Sequence, residues 1–394
     1  MHRKHGKHGQ KWKKESKDVD MNNFIYADNA ATTKLDIDAF EAMKPYLLTE
    51  YGNVSQPYSF SRSGKKALKN ARETIAKCIN AKPEEIYFTS GGTESDNWAI
   101  KGTARNNVNK NAIITSAFEH HAVLNSCKSI EDLGYPVAYI SPNKNGIVDV
   151  KSLEEIITPD TELVSIMYAN NEIGTIQPIK ELCEISHKYN ALFHTDSVQA
   201  IGHVPVDVKM LEIDMLSASA HKFNGPKGIG FLYIKNGTDI GTYSDGGSQE
   251  LGMRAGTENI ASIVGMSVAL DKNYKEMTSN ISHIKNVEKH LLGRLTNSGI
   301  HFVRNGQGDM LPGIISLSFE NHDGEAILHR LDLMGICIST GAACDTRKTE
   351  ISHVLKTINI PESYARGTIR ISLGKNNTVD DANLIAEALI KIIK

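Results

Sequence analysis

Short apolar segments alternate with amphipathic segments along the chain from Asn23 onward. The runs "AIITSA", "ALFHTDS" and "DMLSASA" are typical of buried strands, and "IKELCEISHKYN" is typical of a helix. Parallel strands need a crossover segment between them, and that segment is usually a helix that covers one face of the sheet. The alternation therefore predicts an α/β fold with a largely parallel sheet.

The pattern changes after a long helical segment that starts near Ile260 and runs to Asn297. Fewer strands follow, in "IISLSF" and "TIRISLG", and the chain ends with the helical segment "DDANLIAEALIKIIK". A length of 394 residues is enough for two domains. We interpret the last third of the chain as part of a second, smaller α+β domain.

The charge of the chain is distributed unevenly. Of its 44 lysines and arginines, seven lie in residues 1–20, beside three aspartates and glutamates. The remainder has 37 basic and 43 acidic residues, which argues against a nucleic-acid-binding surface on the folded part. No apolar run reaches the ~18 residues of a membrane span. We therefore predict neither direct nucleic-acid binding nor membrane insertion.

Residues 1–20 are polar and of low complexity, and we interpret them as a disordered basic extension. His2, His5 and His8 are metal-ligating types. Three histidines on a flexible tail rarely form a site of fixed geometry, so no metal site is predicted. The five cysteines are odd in number and have no CxxC spacing, which favours a reducing, cytoplasmic location over a disulfide scaffold.

A glycine-rich turn in "FTSGGTESDN" follows a predicted strand and precedes a predicted helix. Gly91 and Gly92 would let backbone N–H groups approach an anion, and the helix N-terminus favours negative charge. Thr93 with Asp96 three residues later also resembles a capping box, so a capped helix start is the alternative for Thr93. The chain has no P-loop motif and no complete dinucleotide fingerprint, so a nucleotide is not the best anion.

Polar side chains follow other predicted strands, where open α/β sheets bind their ligands. They are His120 and His121; Asn170, Asn171 and Glu172; Asp196 and Gln199; and Lys222, which follows the small residues Ser219 and Ala220. Each has an ordinary structural interpretation alone, such as a packed histidine or a surface lysine. An aspartate for a pyridinium nitrogen, a lysine for an aldehyde and a turn for a phosphate together describe a site for pyridoxal 5′-phosphate.

Nine segments together resemble the cysteine desulfurases of the NifS/IscS-like group, within the class-V aminotransferase family. In chain order they are "YADNAATT", "FTSGGTESDNWAIKG", "ITSAFEHHAVL", "VSIMYANNEIGTIQPI", "HTDSVQAIGH", "SASAHKFNGPKGIGFLYI", "GGSQELGMRAGTENI", "STGAACDTRKTEISHVL" and "TIRISLG". The resemblance implies a homodimeric, pyridoxal-phosphate-dependent transferase of fold type I. Its large cofactor-binding domain would span 37–275 with a mostly parallel seven-stranded sheet, and its small domain would combine 21–36 and 276–394.

The resemblance also implies roles for residues around the cofactor ring. Lys222 would bind the cofactor's aldehyde, Asp196 would pair with the pyridinium nitrogen, and His120 would stack on the ring and transfer protons. Gln199 and Asn171 would contact the ring's phenolic oxygen, and Asn171 would also face the substrate.

The phosphate and the substrate carboxylate have implied partners as well. The phosphate would be held by Gly92, Thr93, Ser219 and His221, joined by Thr257 from the neighbouring subunit. Arg370 would bind the substrate carboxylate, since its planar fork suits a bidentate contact.

The implied activity is removal of sulfur from L-cysteine, giving L-alanine and a persulfide on Cys344. Cys344 lies among small and polar residues, and Arg347 and Lys348 nearby favour its thiolate. Of the other cysteines, Cys78, Cys127 and Cys183 lie in helical patterns and are expected to be packed or inert, and Cys337, in the apolar "GICIS", is expected to be buried. The sulfur would pass to an acceptor protein, either an iron–sulfur scaffold or a tRNA-thiolation enzyme.

The chain departs from the family pattern at a few places, and other functions stay open. "GNVSQPYSF" has neither the family's proline nor its histidine, Ser248 stands where a third glycine is usual, and the segment after Cys344 is unusually charged. One alternative is another class-V enzyme, such as an aminotransferase or a selenocysteine lyase. Cys344 argues against the first but does not exclude the second. A non-catalytic protein of the same fold is disfavoured by Lys222, Asp196 and His120.

Overall fold

The computed structural model describes residues 24–106, 112–341 and 351–394. Its strands are β1 (Ile25–Tyr26), β2 (Ile86–Thr89), β3 (Ala112–Ser116), β4 (Val137–Ile140), β5 (Thr161–Ser165), β6 (Leu192–Asp196), β7 (Met215–Ser219), β8 (Gly230–Ile234), β9 (Val303–Asn305), β10 (Ile314–Ser318), β11 (Ile336–Cys337) and β12 (Thr368–Ser372). Its α-helices are α1 (Ile37–Leu48), α2 (Arg62–Cys78), α3 (Gly92–Asn106), α4 (His121–Glu131), α5 (Val150–Ile156), α6 (Ile179–Lys188), α7 (Ile260–Asn297), α8 (Gly324–Asp332), α9 (His353–Thr357), α10 (Glu362–Ala365) and α11 (Val379–Ile393). The predicted extension at 1–20 and the predicted nucleophile Cys344 lie outside the described residues.

Seven strands form the large sheet, in the order β2-β8-β7-β6-β5-β3-β4. β8 runs antiparallel to both of its neighbours, and the other pairings in this sheet are parallel. The predicted mostly parallel, seven-stranded sheet is therefore confirmed. Every residue of β5, β7 and β8 is buried, because layers on both faces cover the centre of such a sheet.

The end of β5 differs from the sequence-based expectation. The apolar run "LVSIMYAN" predicts a strand through Asn170, but β5 ends at Ser165. The next residues stay buried and still contact β6, since Ile166 N donates to His194 O at 3.1 Å and Tyr168 N donates to Asp196 O at 2.8 Å. An apolar run reports burial, and it does not report where regular pairing stops.

A smaller core surrounds a three-stranded antiparallel sheet in the order β12-β10-β9. The long helix α7 has the predicted bounds and contributes to both cores. Ile263 and Met266 near its start pack in the core of the large sheet, whereas Leu291 and Leu295 near its end pack in the smaller one. The predicted domain boundary near residue 275 thus falls within one continuous helix, and the division itself stays a prediction.

In the parts of the chain that the structure describes, no helix is long and apolar enough to cross a membrane.

Candidate active site

Six strands of the large sheet place their carboxyl ends at one edge. β3, β4, β5, β6 and β7 are parallel, and β2 runs in the same direction because it and β7 are both antiparallel to β8. The polar residues predicted from the sequence follow these ends: Gly92 and Thr93 after β2, His120 after β3, Asn171 after β5, Asp196 and Gln199 at β6, and Ser219, His221 and Lys222 at β7. One edge of the sheet therefore carries most of the predicted site.

Asp196 ends β6 and is almost fully buried, with 6% of its surface exposed. Its Oδ1 accepts a hydrogen bond from Val198 N at 2.9 Å. Burial raises the pKa of Asp196, while nearby His120, the Val198 N–H and nearby Lys222 act to lower it. The side chains of His120 and Lys222 thus lie close enough to affect the charge of the Asp196 carboxylate, as the predicted site requires.

Lys222 lies in a short 3-10 turn that follows β7. Its Nζ donates to Ala30 O at 2.6 Å and to Ala31 O at 2.8 Å, and its own carbonyl contacts His203 Nε2 at 2.9 Å. Ala30 O also accepts from Gln199 Nε2 at 2.9 Å. The segment after β1 therefore supplies the backbone oxygens that orient the Lys222 ammonium and the Gln199 amide.

His120 is the N-cap of α4, where its Nδ1 accepts a hydrogen bond from Ala122 N at 3.1 Å. An accepting Nδ1 has no proton, so a neutral ring carries its proton on Nε2. Burial lowers the pKa of His120; Asp196 opposes this effect, and Lys222 and His121 add to it. His120 is thus a neutral imidazole with a defined tautomer.

The glycine turn packs tightly against the rest of the candidate site. A Cβ on Gly92 would lie 2.5 Å from Val198 Cγ2, and a Cβ on Gly91 would lie 3.5 Å from Ser219 Oγ. Since Val198 follows Asp196 closely, Gly92 and Ser219 are brought to the same place as that carboxylate. A side chain on either glycine would occupy space that a ligand or the backbone N–H groups could use.

The capping-box alternative for Thr93 is wrong. α3 begins at Gly92, so Thr93 lies within its first turn, and it is exposed. Glu94 makes the return contact instead, accepting from Ser90 N at 3.1 Å. Asp96, which the alternative used as the capping partner, is buried.

Arg370 lies in β12 and is 5% exposed. Its Nη1 donates to Asn171 O at 2.9 Å and its Nη2 to Asp28 Oδ1 at 2.8 Å. Its Nε is buried and has no hydrogen-bond partner among the described residues. The structure therefore joins the two predicted substrate-side residues, Arg370 and Asn171.

The remaining predicted phosphate contacts occupy different surroundings. His221 Nδ1 lies 3.1 Å from Thr32 Oγ1, and burial lowers the pKa of His221 to about 4, helped by Lys222 and Lys227. Thr257 is exposed and lines a cavity of about 170 Å³ together with Ser90 and Arg254. An exposed Thr257 is accessible to a second subunit.

The described cysteines are free thiols. Cys127 and Cys183 are fully buried, as predicted, and Cys78 is partly buried. Burial raises the pKa of Cys78 and of Cys127 to about 12. Cys337 was expected to be buried but is only partly so, since it ends the short strand β11; burial, Asp332 and Asp28 raise its pKa. None of these four is poised to form a thiolate at neutral pH.

Two features of the site were not predicted from the sequence. The segment 28–33 contacts Lys222, Gln199, His221 and Arg370, and only the run of small and polar residues in "YADNAATT" hints at it. Asp96 and Glu119 are buried carboxyl groups. For Asp96 a signal existed, because it shares the i, i+3, i+4 spacing with the apolar residues Ala99 and Ile100 on one face of α3.

Asp96, His120 and Asp196 have potential metal-ligand atoms within 4.8 Å of one another. His120 already uses Nδ1 to accept from Ala122 N, and Asp196 uses Oδ1 to accept from Val198 N. Each of these two atoms therefore already accepts a hydrogen bond from a backbone N–H group. We propose no metal here.

The chain matches the family Aminotransferase class-V over residues 25–385. It is 46% identical over 376 residues to "Cysteine desulfurase IscS" of Dictyoglomus turgidum, covering 95% of each chain. Among solved structures, it is similar to a "NIFS-LIKE PROTEIN" with a TM-score of 0.89 and 37% identity, covering 94% of this chain and 99% of that one. A structure titled "SspA in complex with cysteine" has a TM-score of 0.79 and 35% identity, covering 89% of this chain and 99% of that one.

The chain belongs to the class-V aminotransferase family. The resemblance inferred from the nine sequence segments is therefore confirmed, and so is the fold type I architecture. Relatives that are 45–46% identical to this chain are named cysteine desulfurase, which bears on its activity.

Proposed function

We propose that the protein is a cysteine desulfurase, which takes sulfur from L-cysteine and releases L-alanine. The observation that carries the proposal is the convergence of Lys222, Asp196 and His120 at one edge of the large sheet, with Gly92 and Ser219 packed beside them. These residues occur in a chain that is nearly half identical to proteins named cysteine desulfurase.

The residues present fit pyridoxal 5′-phosphate. Asp196 is a buried carboxylate near two basic groups, which suits a pyridinium nitrogen, and the Gly91–Gly92 turn at the start of α3 offers backbone N–H groups to a phosphate. Lys222 is the lysine that would bind the aldehyde. When bound, this cofactor supplies an electron sink for charge that develops on the substrate carbon. Class-V aminotransferases generally depend on it, which supports the assignment.

The basic residues of the site would hold and move protons. Lys222 Nζ, oriented by the carbonyls of Ala30 and Ala31, would accept the proton from the substrate's Cα. His120, neutral and protonated on Nε2, would give or take a proton at that atom. Asp196 would keep the negative charge that the ring nitrogen needs.

Other residues would position the ligands. Arg370 would bind the carboxylate of L-cysteine through its guanidinium, whose planar fork suits a carboxylate. Asn171 stands beside it, since its carbonyl already accepts from Arg370. Ser219, His221, Gly92 and Thr93 would hold the phosphate, and Gln199 would face the ring.

The thiolate of Cys344 would attack the sulfur of the substrate. The C–S bond then breaks with its electron pair passing to the carbon skeleton, which leaves as L-alanine after protonation, while Cys344 keeps the sulfur as a persulfide. No external oxidant or reductant is needed for this step. The raised pKa values of the four described cysteines support Cys344 as the nucleophile.

The protein would act as a homodimer in a reducing, cytoplasmic setting and pass its sulfur to an acceptor protein. The free thiols support a reducing environment. We propose an iron–sulfur scaffold as the acceptor, with a tRNA-thiolation enzyme as the second choice.

The test is to supply L-cysteine and a small thiol reductant to the cofactor-loaded protein, and to measure sulfide and alanine together. We expect equal amounts of the two products. Lys222→Ala should abolish both, whereas Cys344→Ser should still bind the cofactor but form no persulfide by mass spectrometry. Alanine from Lys222→Ala at the wild-type rate, or a cysteine-dependent persulfide mainly on Cys337, would show that the roles are misassigned.

A further inference from the structure

Two buried carboxyl groups lie close together at the proposed cofactor site. Asp96 on α3 is 1% exposed, Asp196 is 6% exposed, and potential ligand atoms of both lie within 4.8 Å of each other. Glu119, which directly precedes His120, is a third buried carboxyl close enough to act on both. Carboxyl groups this close in a buried site cannot all be ionised, so at least one holds a proton.

Asp196 has the surroundings that favour a negative charge. It accepts a hydrogen bond from Val198 N, and His120 and Lys222 both lower its pKa. Asp96 has less support for a charge, because Asp196 and Glu119 raise its pKa and, among the described residues, Ser217 alone lowers it. Ser217 hydrogen-bonds to it, and His194 Nε2 lies 3.7 Å from its Oδ1.

His194 cannot easily serve as a cation for Asp96. Both ring nitrogens contact serine hydroxyls, Nδ1 with Ser165 Oγ at 2.8 Å and Nε2 with Ser217 Oγ at 3.0 Å. Burial lowers the pKa of His194 to about 3, so the ring is neutral near pH 7. A hydroxyl can donate and accept, so the hydrogen bonds that link Asp96, Ser217, His194 and Ser165 can all form with every member uncharged.

The surroundings of one Asp96 oxygen also favour an uncharged, protonated carboxyl group. Asp96 Oδ1 is buried and has no hydrogen-bond partner among the described residues. An ionised carboxylate would leave negative charge on an unsolvated oxygen, which is far more costly than a neutral one. Burial raises the pKa of Asp96 well above its usual range, and Asp196 and Glu119 raise it further against the effect of Ser217.

We propose that Asp96 is a positioning residue that stays protonated in the working enzyme and thereby confines the negative charge of this pair to Asp196. The inference rests on the proposed function, because the charge on Asp196 matters through its pairing with the cofactor's pyridinium nitrogen. The titratable groups that face Asp96 come from several elements: Asp196 and His194 of β6, Glu119 and His120 before α4, and Cys127 of α4. An ionised Asp96 would compete with Asp196 for the same proton.

The proton can be observed in cofactor-free protein, so the first test does not depend on the proposed function. Near pH 7, the infrared spectrum of the wild type should contain the carbonyl stretch of a protonated carboxylic acid that shifts in D₂O. Glu119 and Glu172, whose pKa values burial raises to about 8 and about 7, also absorb here, so the Asp96 band is the part of the wild-type absorption that Asp96→Asn lacks. The matched control Glu119→Gln should lose only its own contribution and keep that Asp96 band. Identical spectra of the wild type and Asp96→Asn in this region would overturn the proposal.

The second test measures the dissociation constant of pyridoxal 5′-phosphate as a function of pH. Affinity should fall at acidic pH, where Asp196 takes up a proton, and this fall should occur at the same pH in Asp96→Asn, because a neutral amide replaces a neutral acid. If Asp96 were ionised in the wild type, removing its charge would move the fall to lower pH by about one unit or more, and that shift would refute the proposal.

A third variant tests whether Asp96 positions its neighbour. Asp96→Ala loses the hydrogen bond to Ser217 and should bind the cofactor about tenfold more weakly, and Asp96→Asn should restore the affinity. Circular dichroism would verify that both variants fold. Wild-type affinity in Asp96→Ala would remove the positioning role. Failure of the wild type itself to bind the cofactor would contradict the proposed function, while the infrared result would still decide where the proton lies.

Discussion

Single buried side chains set how the stability of this protein depends on pH. Glu172 follows β5 and is 5% exposed, with its Oε2 accepting from Ser352 Oγ at 2.6 Å. A Cβ on Gly341 would lie 2.3 Å from Glu172 Oε2, so Glu172 lies beside described residues on both sides of the segment that holds Cys344. Burial raises the pKa of Glu172 to about 7, against the lowering effects of Ser352 and Arg370.

We expect Glu172→Gln to make the protein less sensitive to rising pH. When a carboxyl has a higher pKa in the folded chain than in the unfolded chain, the unfolded chain ionises first, so the free energy of unfolding falls between the two pKa values. For Glu172 that window runs from its ordinary 4.5 to about 7. The variant should lack this loss, which amounts to at most about 3 kcal/mol.

Urea denaturation of both proteins at about pH 5 and about pH 8 measures the difference. Gln can still accept from Ser352 Oγ, so the contact is kept, and the other buried acids are present in both proteins and cancel. The same change of unfolding free energy with pH in the two proteins would mean that Glu172 is already ionised in the folded state.

At the scale of elements, the start of α3 is defined by close packing rather than by a cap. Gly92 faces Val198 Cγ2 at a distance that no real Cβ could keep, and Val198 is β-branched and cannot easily move aside. The turn, β6 and the end of β7 therefore form one packed unit that places backbone N–H groups beside Asp196 and Ser219.

We predict that Gly92→Ala costs about 1–3 kcal/mol of stability through overpacking, and weakens cofactor binding at least several-fold by displacing the start of α3. Gly293→Ala is the matched control. Gly293 lies in α7 with no atom near its added Cβ, so its replacement should be neutral or stabilise by up to about 1 kcal/mol. Chemical denaturation and cofactor titration of both variants provide the measurement. Equal effects of the two changes would show that the turn is not packed as described.

At the scale of the whole molecule, several large apolar side chains are exposed. Leu48 is 72% exposed, Tyr51 71% and Leu251 74%. Tyr51 contacts the half-exposed ring of Phe60 at 5.2 Å between centroids, so these two form an exposed aromatic pair. A contiguous exposed apolar patch can mark an interface, and this aromatic pair would suit the proposed homodimer.

The exposed Thr257 gives a way to test the dimer through the cofactor. If Thr257 of one subunit reaches the phosphate of the other, Thr257→Ala should weaken cofactor binding about tenfold, the size expected for one lost charge-assisted hydrogen bond. Dilution below the dimer's dissociation constant should weaken binding in the wild type as well. Thr278→Ala, on an exposed position of α7, is the control. Sedimentation that shows a monomer with undiminished cofactor affinity would contradict the prediction.

The sequence by itself determined the class of fold and most of the residues at the candidate site. Alternating apolar and amphipathic segments require crossover helices, so the parallel sheet follows from the local pattern, and parallel strands bring Asp196, Lys222 and His120 to one edge. The long helix α7 was predicted with its observed bounds because its helical pattern continues without a break.

Only the tertiary structure decided which groups touch. The end of β5 at Ser165, the contacts of segment 28–33 with Lys222 and the pairing of Arg370 with Asp28 join residues far apart in the chain. Local pattern reports whether a side chain prefers burial, and it carries no information about which distant partner it meets. The tertiary structure also decides the protonation of the buried acids. It depends on how close Asp96 and Asp196 come after folding and on the water that folding removes from around them.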